Sequence, residues 1–162
     1  APEHSIGLIK GTKNSIDFHY PGSSVIAVVE SKTTKEEIED IKKICPVYKG
    51  KETITSLINV GMRHATGEWV FTIFAGTTLR PKLDQKFGFF VASDKDVIYP
   101  VANGKFNFLE ATLNGLFINK KFYKEVGEMQ DDGPLEMVKA EWAMAAMDKG
   151  CKFKAVIGSK MC

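Results

Sequence analysis

The sequence has little arginine, no disulfide pattern and no long apolar run. Arg63 and Arg80 are its only arginines, and its other basic residues are lysines. Lysine acts as a solvated point charge, so a dense bidentate phosphate clamp is not expected. The 22 basic and 20 acidic residues nearly cancel, which gives no electrostatic reason to expect DNA or RNA as a partner. Cys45, Cys151 and Cys162 form no C-x-x-C pair near histidines, so zinc is not indicated. An odd number of cysteines without framework spacing favours a reducing compartment. No stretch approaches the roughly 20 apolar residues that span a bilayer, and no signal-peptide pattern is visible. The expected location is therefore cytoplasmic, with no membrane span. Neither G-x-G-x-x-G nor G-x-x-x-x-G-K-[ST] occurs, which argues against an unrelated Rossmann-like nucleotide binder.

What is present is an ordinary globular balance, with 44% hydrophobic and 26% charged residues over 162 positions. That suits one domain, spanning residues 1–162, with a core large enough to need no disulfide or metal. No repeat, low-complexity tract or linker interrupts it. Short β-rich runs alternate with amphipathic runs, which predicts an α/β fold with a mainly parallel twisted sheet and flanking helices.

Residues 4–16 are ambiguous, because Ile6, Ile9 and Ile16 mark a helix face that Gly7 and Gly11 weaken. Val25-Ile26-Ala27-Val28-Val29 is a continuous apolar run that reads as a buried strand. Thr33 and Thr34 each precede a glutamate by three residues, a doubled capping-box signal for a helix burying Ile38, Ile41 and Cys45. Val47 and Tyr48 begin a short strand. The clearest helix is 54–65, where Ile54, Leu57, Ile58, Gly61, Met62 and Ala65 share one face. Trp69 to Phe74 reads as a central strand beside Val25–Val29. A helix is expected to start near Pro81. Further strands are expected at Val97–Tyr99, Leu113–Ile118 and Phe153–Ile157, with a helix from about Leu135 to Asp148.

Asn59-Val60-Gly61-Met62-Arg63-His64-Ala65-Thr66-Gly67-Glu68, followed by Trp69 and a strand, resembles the N-x-G-x-x-x-A-x-G-E pattern of family 2 glycosyltransferases. Val25–Lys32 with its capped helix is similar to that family's second strand and ribose-binding turn. Leu113–Ile118, Phe122 and Val126-Gly127 resemble its acceptor-side strand and short helix. Lys149-Gly150-Cys151-Lys152-Phe153 resembles its late helix exit. The ordered set covers residues 13–157 and implies a GT-A, Rossmann-like fold acting on a nucleotide sugar and a carbohydrate acceptor. Phe74-Ala75-Gly76 stands where the family's D-x-D belongs, so no Mg²⁺ or Mn²⁺ cofactor is expected there: a hard cation needs carboxylate oxygens. Val138-Lys139 stands where the family carries its general base. The family's first strand has no counterpart before residue 4, which suggests a truncated or excised domain.

The resemblance implies a nucleotide-sugar contact at Glu30, and the loop hydroxyls of Thr77 and Thr78 are candidates to hydrogen-bond its phosphate or sugar. Glu141, Asp131 and Asp132 are the candidate catalytic residues, one of them serving as base in an inverting transfer. Each also has a plain structural reading: a strand-end charge for Glu30, a solvated helix residue for Glu141, turn residues for the aspartates, and backbone-satisfying hydroxyls for the threonines. His64 lacks a catalytic partner nearby in sequence and reads as structural, and Lys120-Lys121 reads as a solvated face. Two functions remain open. One is a sugar transferase with atypical or impaired catalysis; the other is a non-catalytic sugar- or nucleotide-binding or assembly module on the same scaffold.

Overall fold

The computed structural model describes residues 2–77, 91–101, 108 and 113–157. Five helices and six strands are assigned among them: α1 (Pro2–His19), β1 (Ala27–Glu30), α2 (Lys35–Lys42), β2 (Val47–Gly50), α3 (Ile54–His64), β3 (Trp69–Phe71), β4 (Asp96–Val101), β5 (Phe117–Asn119), α4 (Lys120–Val126), α5 (Leu135–Asp148) and β6 (Lys152–Ile157). The helix expected near Pro81 lies outside the described residues.

Capping chemistry sets the helix starts. Thr34 accepts a hydrogen bond from the Glu37 amide at 3.2 Å, so the second of the two capping-box threonines opens α2. Thr53 does the same for α3, accepting from the Ser56 amide at 3.2 Å. Each satisfies a first-turn N–H that the helix cannot bond internally. The two glycines of α1 do not break it. It spans 18 residues and buries Ile16 against Ile98 with support from Val25 and Ile73, so tertiary packing outweighs about 1 kcal/mol of propensity per glycine.

The strands form two sheets. One is the parallel pair β1-β2, with Ala27 opposite Val47 and Glu30 opposite Gly50. The other runs β3-β5-β4-β6, antiparallel at β3-β5 and β5-β4 and parallel at β4-β6. Parallel pairing covers most of the ladder, in keeping with the α/β expectation. The expectation that Val25–Val29 lies beside Trp69–Phe74 is corrected: β1 and β3 each end a sheet, and a groove separates them. Both apolar strands are consequently only half-buried.

Helix α3 packs over β1 and β2. A Cβ on Gly50 would come within 3.1 Å of Leu57 Cδ2 and 3.3 Å of Val60 Cγ2, so this glycine sets how closely the end of β2 approaches the helix. The main core lies around β4, β5 and α5, where Leu116, Ile118 and Val97 are fully enclosed and Trp142 stacks on Tyr123 at 5.4 Å. Burying side chains of this size stabilises by roughly 1.5–3 kcal/mol each.

A carboxylate is among the groups buried with this core. Asp96, 1% exposed, takes hydrogen bonds from Lys154 Nζ at 2.9 Å and from the Ala92 and Ser93 amides at 2.8 and 3.0 Å. Burial alone pushes its carboxyl up, but Lys154 and the two amides together hold it below the usual carboxylate range. A carboxyl depressed in the folded state contributes stability that is present above its unfolded value of about 3.9 and is lost as pH falls through the folded value. Asp96→Asn is expected to cost about 2–4 kcal/mol at neutral pH and to flatten the acid limb of the stability curve. Urea melts between pH 2 and 7 check both effects.

Candidate nucleotide-sugar site

The carboxyl ends of β1 and β2 converge on the N-terminus of α3. Glu30 closes β1 opposite Gly50. The turn after it is held by Glu52, which accepts from the Ser31 hydroxyl at 2.6 Å and the Lys32 amide at 2.9 Å. These bonds hold the Glu52 carboxyl below its usual range, the Ser31 hydroxyl contributing most. Lys32 Nζ lies 3.1 Å from Glu30 Oε2. The contact is close enough for an ion pair, but its angle makes no hydrogen bond, and Oε2 is otherwise a buried acceptor with none. The Lys32 ammonium faces this strand-end oxygen, so a ligand hydroxyl would have to displace it.

Asp131 is brought to the same end by a long-range network. Its carbonyl accepts from the Thr53 hydroxyl at 2.6 Å, its carboxylate accepts from Asn59 Nδ2 at 3.1 Å, and Lys51 Nζ sits 3.3 Å from Oδ2. The Asn59 hydrogen bond first, and Lys51 after it, hold this carboxyl below its ordinary range. Asp132 is exposed and lies 4.0 Å from Lys51. The structure thus gathers Glu30, Lys51, Asp131 and Asp132 around the start of α3, where helix N–H groups favour an anion.

Asn59 does more than the sequence reading gave it. It is 1% exposed, donates to the Met129 carbonyl at 2.7 Å, and its Oδ1 accepts from the Met129 amide at 3.1 Å and from the Tyr123 hydroxyl. Burial pushes the Tyr123 hydroxyl well above the ordinary tyrosine range, so it stays protonated and donates. The motif position itself was the available signal: a polar residue within the apolar face of a helix must find partners when buried.

The segment from Phe74 to Thr77 is tied down on both sides. Asn114 Oδ1 accepts from the Phe74 amide at 2.9 Å, and its Nδ2 donates to Thr77 Oγ1 at 3.2 Å. Thr12 accepts from the Gly76 amide at 3.0 Å and donates to the Thr77 carbonyl at 2.8 Å. Gly76 has φ +93, a conformation side chains resist. Thr77 is 6% exposed, so its hydroxyl helps anchor this loop. Thr78 lies outside the described residues. Phe74, Ala75 and Gly76 offer no side-chain oxygen, and among the described residues no three His, Cys, Asp or Glu groups cluster as a metal site.

The remaining candidates lie apart. Glu141 is exposed on α5, beside a hollow of about 210 Å³ lined by Gln130 and Trp142. Lys139, on the same helix, is 3% exposed. His64 stacks on Tyr48 with ring centres 3.8 Å apart. Lys120 is not a solvated charge: it donates to the Arg63 and Ala65 carbonyls and so caps the end of α3. The Cys151 thiol is pushed up to about 12 by burial, which leaves it unreactive.

No family model matches the sequence, and neither does any characterised protein. Solved structures do share the fold. The mannosyltransferase PcManGT from Pyrobaculum calidifontis, in complex with GDP-Man and Mn²⁺, superposes with a TM-score of 0.69 at 12% identity over 95% of this chain and 53% of its own. TarS 1–349 of S. aureus gives 0.60 at 13% identity over 98% and 55%. The chain therefore has a glycosyltransferase-like α/β fold and spans about half the length of these structures. Among the described residues, no helix is long and apolar enough to cross a membrane.

Asn59→Ala is expected to cost about 2–4 kcal/mol, because it leaves the buried Met129 and Tyr123 groups without their shared partner. Hydrogen exchange at the Met129 amide should accelerate more than at core amides of β4. Uniform acceleration would show that the asparagine serves global stability alone.

Proposed function

We propose that this chain is a glycosyltransferase-like domain that binds a nucleotide sugar without a divalent cation and transfers sugar poorly or not at all. The observation that carries this is the gathering of Glu30, Lys51, Asp131 and Asp132 at the strand ends beside the α3 N-terminus, in a fold shared with a GDP-Man-bound mannosyltransferase. Glu30 Oε2 would accept from a ribose or sugar hydroxyl. Lys51 and the first amides of α3 would face the diphosphate and supply the positive charge that a metal otherwise provides. For this, Lys51 would have to share its charge between Asp131 and the ligand.

Reduced transfer follows from the groups present. A general base must reach the acceptor hydroxyl. The buried Lys139 is a cation in the base's place, and the Asp131 carboxylate is already committed to Asn59 and Lys51. A second reading, residual inverting transfer with Asp132 or Glu141 as base, is favoured by the exposure of those two carboxylates.

A thermal-shift panel of UDP- and GDP-sugars, with and without Mn²⁺, tests the binding reading. A ligand at 100 times its Kd should stabilise the domain by about 2.7 kcal/mol, with no further gain from Mn²⁺. Glu30→Gln should weaken binding about tenfold. No shift across the panel would overturn the proposal. A clear Mn²⁺-dependent gain would show that carboxylates elsewhere rebuild a metal site. Release of nucleoside diphosphate above the buffer rate, lost in Asp132→Asn or Glu141→Gln, would establish the second reading.

A further inference from the structure

Helix α5 is apolar on both of its faces. The inner face buries Val138, Trp142 and Ala146 in the main core. The outer face carries Met137, Met144 and Met147, which are 59%, 68% and 59% exposed, with the partly buried Ala140 among them. Positions 137, 140, 144 and 147 follow the three-and-four spacing of a seam that packs against another helix. The stripe is about 15 Å long. A helix that is apolar all round is ordinarily enclosed, and a contiguous exposed apolar patch marks a contact surface.

The charges beside the stripe are of one sign. Glu136, Glu141 and Asp148 flank it and are exposed, while the only cation of α5, Lys139, lies on the inner face at 3% exposure. Glu136 comes within 3.9 Å of Lys139; among the described residues, neither Glu141 nor Asp148 has an ion-pair partner. Beside Glu141 opens the hollow of about 210 Å³ between α5 and the 126–130 segment. Its buried lining includes Met129, Val138 and Trp142, and its exposed lining includes Glu128, Gln130 and Glu141. Arg63 already holds Glu128 at 2.6 Å, which leaves Glu141 to meet an incoming cation. An apolar recess with a carboxylate at its mouth suits a lysine or arginine, whose stem is apolar and whose tip is charged.

We propose that the outer face of α5 is the docking surface for a basic amphipathic helix of another protein. The apolar side of that helix covers Met137, Met144 and Met147, and its lysines or arginines meet Glu141 and Asp148, one of them seated in the hollow. A helix fits better than a strand, because the backbone of α5 is bonded within itself and offers no open edge. Methionine side chains adapt to partner helices of differing sequence. The acidic flanks select the charge of the partner. They also disfavour a second copy, since two such stripes packed face to face would set Glu136, Glu141 and Asp148 against acidic residues of the other chain. An anionic membrane surface would meet the same repulsion. The surface stands whether or not the domain binds a nucleotide sugar.

The probe is a fluorescein-labelled peptide of about 18 residues, with leucine at the two apolar heptad positions, lysine at the positions flanking them and alanine elsewhere. One companion peptide carries glutamate in place of lysine, and another carries serine in place of leucine. In anisotropy titrations with the full chain, the lysine peptide is expected to bind at least about tenfold more tightly than either companion. Met137→Ser with Met144→Ser should weaken its binding about tenfold or more. Glu141→Lys with Asp148→Lys should reverse the preference, toward the glutamate peptide. All four positions are exposed, so both double variants are expected to fold. No binding of the lysine peptide, equal binding of the lysine and glutamate peptides, or binding that the serine pair leaves unchanged would each overturn the proposal. Self-association in sedimentation velocity that the serine pair abolishes would overturn it in favour of a second copy. Co-sedimentation with phosphatidylcholine vesicles that the serine pair abolishes would overturn it in favour of a membrane surface.

Discussion

The buried Asn59 amide is the constraint on which the candidate site depends. An amide enclosed in a core must find partners for its oxygen and its N–H groups, and this one finds them in Met129, Tyr123 and Asp131, some 64 to 72 residues further along the chain. The bonds fasten the 129–131 segment to α3. Together with the Thr53 hydroxyl on the Asp131 carbonyl, they fix Asp131 beside Lys51. A side chain in the middle of a helix thus decides where a distant loop puts its charge.

The sequence made most of the fold legible, because hydrophobic periodicity and capping are local. The α3 stripe, the α5 span from Leu135 to Asp148 and the strands at Val47, Val97 and Phe153 all appear in the structure at or near their expected places. Helix α1 was harder to read, since Gly7 and Gly11 lower propensity while the contacts that compensate are tertiary. Strand neighbours were harder still. A continuous apolar run says that a strand wants both faces covered, and says nothing about which edge it pairs with, so β1 and β3 read as adjacent when a groove parts them.

For the site, residue type was legible and partnership was not. Glu30 reads as a strand-end charge beside Lys32, and the two lie 3.1 Å apart as an ion pair. Asp131 reads in sequence as a turn residue and in space as the centre of a network. Thr77 reads as a loop hydroxyl that contacts a ligand or satisfies backbone, and it proves to be enclosed, its partners Thr12 and Asn114 lying 65 and 37 positions away. Lys120 reads as one of a solvated pair and instead closes the end of α3. Each difference comes from a hydrogen bond over long sequence separation, which no local pattern encodes.

The loop from Phe74 to Thr77 has a consequence for binding. Thr12 and Asn114 pin it from opposite sides, and Gly76 gives it a backbone shape most residues resist. Ordering a loop residue costs about 1–2 kcal/mol of conformational entropy, and here that cost is met during folding. Anything that docks against residues 74–77 meets a rim already held by hydrogen bonds, and the cost of ordering those residues does not recur on binding.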